Sequence, residues 1–209
     1  MNESSRVEAF SDGVFAIAIT LLVLEIKVPE TEPGESLWSA LGHQWPSYAA
    51  YVVSFFVIGI MWTNHHQVFG HIARVDRPLL FLNLLLLLVV GALPWPTSLV
   101  ADYLRDGHNA RIAVAIYSGF MVAHALTFSL FWWYVTRTGH LFRPEVDRAA
   151  AKATQFRFGL GMILYPVTVG LAFVTPVGTL FLHGALAIYY MFNQLPIPTT
   201  DPDRPTATT

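Results

Sequence analysis

Side chains able to carry chemistry gather in three short stretches of an otherwise apolar chain. Arg6, Ser11 and Asp12 open the segment RVEAFSDGVFAIAITLLVLEI; WTNHHQVFGH places His65, His66 and His71 close together; Asn83 stands alone in LLFLNLLLLLVV. Carboxylate, imidazole and amide groups at one depth of an apolar bundle can form a buried hydrogen-bonded network, relay protons or ligate a metal. A metal is disfavoured, because the sequence has no HExxH motif and no Cys and adjacent histidines on a helix diverge by about 100°. His124 and His183 are single histidines in apolar runs and read as packing residues. No G-x-S-x-G, no P-loop and no paired carboxylates on one helix are present, so neither an enzyme nor a cofactor is implied. The TVG at 168–170 continues Leu-Ala, not Tyr-Gly, and is no carbonyl filter.

The elements that must position these groups follow from composition. Of 209 residues, 54% are hydrophobic and only 12% charged, about half the charged fraction of a soluble domain. A net charge of −2 gives no basic footprint for nucleic acid. A bilayer core of about 30 Å needs roughly 20 apolar residues per helix, and six charge-poor windows of that kind occur, near residues 10–28, 48–68, 78–100, 111–135, 158–174 and 177–194. The expected fold is therefore an all-α integral membrane protein with six transmembrane helices. One membrane domain covers 1–194, and the Pro/Thr-rich 195–209 is expected to be a disordered cytoplasmic tail.

Orientation follows from the basic residues. With a cytoplasmic N-terminus, Arg6, Arg74, Arg77, Arg137, Arg143, Arg148, Lys152, Arg157 and Arg204 lie inside, and only Lys27, Arg105 and Arg111 remain outside. The positive-inside rule then puts both termini in the cytoplasm of a multi-pass cell-membrane protein.

The first helix is the informative one. An acid near the centre of a membrane helix costs about 2.5 to 3.5 kcal/mol, less near an end, so Asp12 needs a partner or water. At 100° per residue, Phe10, Gly13, Ile17, Thr20, Leu21 and Leu24 share one arc and Asp12 lies on the far side. By periodicity alone this apolar stripe fits packing against a neighbour or against lipid. In antiparallel succession the first three helices bring Arg6, Ser11, Asp12, His65 and Asn83 to similar depth, where they are expected to form one network. Asp12 would orient the helix through His65 and Asn83.

The string RVEAFSD, an RxxxFSD signature, with W..HH..F downstream and the asparagine of the third segment, resembles the endosomal and lysosomal potassium channel family (transmembrane protein 175) in its single-repeat prokaryotic form. That resemblance implies a potassium-permeable cation channel, a homotetramer in the bilayer whose first helix lines a central pore. Carried over position by position, Ile17 corresponds to the hydrophobic constriction, Thr20 to the threonine one turn beyond, and Leu24 to further pore lining, with Gly13 and Leu21 on the same face. Arg6, Phe10, Ser11, Asp12, His65 and Asn83 correspond to residues that brace the pore helix. Ala16 departs from the serine that some members carry beside the constriction. The competing expectation is a proton-coupled secondary transporter of cations using Asp12 and His65, although no inverted repeat is evident.

Overall fold

The computed structural model of the chain describes residues 3–31 and 33–192, and the side chains of these except 3, 156–160 and 192. The expected tail at 195–209, Arg204 and the Arg157 side chain lie outside this description. Among the described residues the structure is helical, with no strand and one isolated bridge between Ile72 and Phe142.

The helices are α1 (Glu3–Leu21), α2 (Leu37–His43), α3 (Trp45–Gly70), α4 (Arg77–Gly91), α5 (Pro94–Tyr103), α6 (Gly107–Thr138), α7 (Arg148–Ala153), α8 (Gln155–Ala172) and α9 (Pro176–Phe192). Ser4–Glu25, Trp45–Gly70, Arg77–Tyr103 and Gly107–Thr138 are long and apolar enough to cross a membrane, and Gly161–Ala172 and Pro176–Met191 are shorter apolar helices.

Local sequence explains where the elements begin and break. Asp76 caps α4 by accepting from the Leu79 amide at 2.9 Å, and Pro78 fills the first turn. The third apolar window was expected to be one continuous helix, but it divides into α4 and α5 around Ala92–Leu93. Pro94 lacks an N–H and its ring crowds the carbonyl four residues earlier, so the helix cannot run straight through. At the end of α6, Gly139 adopts a left-handed φ of 65°, a conformation that costs least without a Cβ. The fifth and sixth windows divide as expected, at Thr175 between α8 and Pro176. The short helices α2 and α7 were not expected; each starts at a side-chain cap, Ser36 and Asp147 respectively.

The helix α6 forms the spine, packed on α8, α4 and α5, while α3 lies against α5, α9 and α1. The helix α1 rests on α3 and α4 at the edge of the bundle. The face it turns inward carries Ser11, Phe15, Ala18 and Leu22, each no more than 2% exposed, a spacing of four, three and four that makes one helical stripe.

Candidate functional site

Two tiers of polar contacts fasten α1 to its neighbours. The inner tier is buried and runs through three helices: Ser11 of α1, Asn83 of α4 and His65 of α3. The Ser11 hydroxyl donates to the Val7 carbonyl at 2.8 Å, so its oxygen is left to accept from Asn83 Nδ2 at 3.0 Å. That choice turns Asn83 Oδ1 toward His65 Nε2, 2.8 Å away. An amide oxygen only accepts, so His65 carries its proton on Nε2. The other ring nitrogen, Nδ1, is buried without a partner among the described residues. The imidazole is walled by Phe69, stacked at 4.5 Å, and by Phe15 at 5.3 Å.

The outer tier is wetter. Asp12 accepts from the Trp62 indole N–H at 2.9 Å, and Glu8 lies 2.9 Å from His66 Nδ1. Trp62 and His66 stack on each other at 5.8 Å. These are matched pairs four residues apart, Glu8 and Asp12 on α1 against His66 and Trp62 on the antiparallel α3, so one helical turn of each element aligns with one turn of the other.

The expected network is therefore divided. Ser11, His65 and Asn83 come together. Asp12 does not reach His65 or Asn83, because it points some 100° around the helix from Ser11 and meets Trp62 instead. Arg6 is exposed and pairs with no described residue, and Phe10 is 57% exposed. The contacts of Glu8 with His66 and of Asp12 with Trp62 were not anticipated; contrary to the expectation that no helix carries paired carboxylates, Glu8 and Asp12 are such a pair on α1, and their i,i+4 spacing was the available signal.

On the opposite side of α1 the apolar stripe is left uncovered by the described residues. Ile17 is 61% exposed and Leu24 67%, and Gly13, Thr20 and Leu21 are exposed with them. A Cβ at Gly13 would meet no atom within 4 Å. The Thr20 hydroxyl bonds back to the carbonyls of Ala16 and Ile17, both at 2.9 Å, which leaves its oxygen lone pairs on this face. Beyond Leu21 the helix tightens into a 3₁₀ turn, Leu22–Glu25. With a rise of about 2.0 Å per residue there, Leu24 lies about 12 Å along the helix from Ile17, farther than the about 10 Å of an unbroken α-helix.

The profile of the family described as "Endosomal/lysosomal potassium channel TMEM175" matches residues 6–94, the stretch that holds both tiers and the open stripe. A protein of Streptomyces collinus named as a potassium channel is 64% identical over 98% of this chain and 100% of its own length. One of Chamaesiphon minutus, also named as a potassium channel, is 44% identical over 92% of this chain and 96% of its own. The crystal structure of a lysosomal potassium-selective channel TMEM175 homolog from Chamaesiphon minutus superposes with a TM-score of 0.82 at 41% identity, covering 90% of this chain and 96% of that one. With this extent of identity and this fold, the chain belongs to the endosomal/lysosomal potassium channel TMEM175 family, whose members are membrane channels and not enzymes.

Proposed function

We propose that the chain is one subunit of a homotetrameric, potassium-permeable cation channel of the cell membrane, in which α1 lines a central pore. The observation that carries this reading is the two-sidedness of α1. One face is pinned by Ser11–Asn83–His65, and the other leaves Gly13, Ile17, Thr20, Leu21 and Leu24 uncovered. The span containing α1 is the least enclosed of the four long ones, with 22% of it buried against 33–44% for the others. A helix so anchored on one side needs further copies to complete its surroundings. Six membrane crossings, α1, α3, α4 with α5, α6, α8 and α9, return the chain to the side on which it starts, and the Arg and Lys distribution puts that side in the cytoplasm.

Around a symmetry axis, four Ile17 side chains would form a ring too apolar and narrow to hold water, and such constrictions gate by dewetting. The Thr20 oxygens and a second ring at Leu24 would follow along the axis. In this arrangement Ser11, Asp12, His65 and Asn83 set the tilt and rotation of α1 and do not touch the permeating ion, and Arg6 and Phe10, exposed in the single chain, would brace α1 only against a neighbouring copy. The relatives named as potassium channels supply the expected cargo.

Purified protein in liposomes under an outward potassium gradient provides the test. Uncoupled, electrogenic potassium flux that Ile17→Asn enlarges is the expected result. Flux that requires a proton gradient would support the exchange reading through Asp12 and His65 instead, and absence of flux from both proteins would remove the pore.

A further inference from the structure

An open groove of about 510 Å³ lies between α4, α6 and α8, lined by Leu85, Leu126, Leu130, Trp133, Gln155 and Met162 among others. A cavity of about 150 Å³ takes a six-carbon ring, so this one has room for most of an acyl chain. Its walls are in register. Trp133 to Leu126 on α6 and Gln155 to Met162 on α8 each cover seven residues, about 10 Å, and the helices run antiparallel, so Trp133 and Gln155 mark one end and Leu126 and Met162 the other. Between those ends the described lining is mostly apolar, with Thr127 and Ser129 its hydroxyl groups.

The Trp133 end is basic. The Arg137 guanidinium sits 5.4 Å above the Trp133 ring, in the last turn of the 32-residue α6, and both side chains are exposed. Lys152 is exposed one turn before Gln155. A cation held flat on an indole keeps its N–H edges free for an anion. Four of the described carboxylates of that end of the bundle are engaged elsewhere: Glu8 by His66, Asp12 by Trp62, Asp76 by Leu79 and Tyr134, and Asp147 by the first turn of α7. Arg137 forms no ion pair with a described carboxylate, so its charge is open to an anion from outside the chain. Anionic lipid is what a membrane surface offers to a basic pocket between helices.

We propose that this groove binds an anionic phospholipid, one acyl chain lying along Leu85, Leu126, Leu130 and Met162 and the phosphate held at Arg137 beside Trp133. The site rests on membrane embedding with the Arg137 end at one bilayer surface, and it is independent of whether the protein conducts potassium.

Native mass spectrometry of the full-length oligomer, released from micelles doped equally with dioleoylphosphatidylglycerol and dioleoylphosphatidylcholine, tests the site without a flux measurement. The expected result is preferential retention of phosphatidylglycerol, reduced about fivefold by Arg137→Gln, reduced less by Lys152→Gln, and lost in Leu126→Trp, which fills the groove. Arg137 and Lys152 are surface residues, so their variants keep the test readable even if Leu126→Trp fails to fold. Equal retention of the two lipids, or no effect of Arg137→Gln, would overturn the proposal. So would dissociation of the oligomer by Leu126→Trp with lipid retention unchanged, because the groove would then hold a second copy of the chain.

Discussion

Asn83 presents its amide oxygen to His65 at 2.8 Å while its amide nitrogen reaches Ser11 at 3.0 Å, so one side chain ties α4 to both α3 and α1. Beyond Ser11 on the same face of α1, Phe15 and Ala18 are held by packing alone. The rotation of the helix, and with it the side on which Ile17 faces, is fixed by a directional contact that a slipped helix could not keep.

Replacing Asn83 by Leu removes both bonds and leaves the His65 N–H buried without an acceptor. Interhelical hydrogen bonds within membranes average about 0.6 kcal/mol and reach about 1.7, and an orphaned buried donor adds its own cost. The expected destabilisation is about 1–3 kcal/mol, read as a lower Tm of the oligomer in detergent. The double variant His65→Phe with Asn83→Leu should recover part of this, because the orphan disappears with its partner. A double variant less stable than the sum of the singles would refute the assigned bond.

Asp12 and Trp62 give a sharper separation of structure from permeation. Asp12→Asn keeps an oxygen for the indole N–H, and Asp12 lies on a different face of α1 from Ile17, so ion selectivity and oligomer stability should both be nearly unchanged. Trp62→Phe deletes the donor and should cost about 1 kcal/mol. A change in selectivity from Asp12→Asn in a well-assembled protein would place the carboxylate on the ion path.

Lys27 and Asp102 form the opposite case. They stand 3.1 Å apart, but their side chains are 64% and 51% exposed. Exposed ion pairs contribute about 0–1 kcal/mol. Lys27→Gln is therefore expected to leave Tm within a degree or two, and any residual effect should vanish in high salt.

These contrasts show what could be read from residue order and what could not. The inward and outward faces of α1 were legible because a helical period fixes them: once Ser11 is inside, Phe15, Ala18 and Leu22 follow it and Ile17 cannot. The meeting of Ser11, His65 and Asn83 was legible from depth, since three antiparallel helices bring those positions level. The partner of Asp12 was not, because depth says nothing about the direction a side chain takes around its own axis. The break at Ala92–Leu93 was signalled by Pro94 and Pro96, yet a hydropathy window averages over it. The 3₁₀ tightening at Leu22–Glu25 leaves no compositional trace; it moves Leu24 along the axis by an amount that only coordinates reveal.

That break has a consequence that proton order makes testable. Thr97, at the start of α5, donates its hydroxyl to the Leu93 carbonyl at 2.9 Å, so it must accept from Ser54, 2.9 Å away on α3. With its proton spent, Ser54 can only accept from the Tyr117 hydroxyl of α6 at 3.1 Å. The chain runs in one direction, Tyr117 to Ser54 to Thr97 to Leu93, and all three side chains are fully buried. Tyr117→Phe removes the first donor and strands only a lone pair, a loss of about 1 kcal/mol or less. Ser54→Ala strands the Tyr117 O–H in an apolar interior and frees Thr97 as well, so it should cost about 1–3 kcal/mol despite deleting a smaller group. Thermal unfolding of the two variants in the same detergent should rank Ser54→Ala as the less stable. The reverse order would mean that the lost aromatic hydroxyl outweighs the stranded donor, and that the chain of hydroxyls does not run as described.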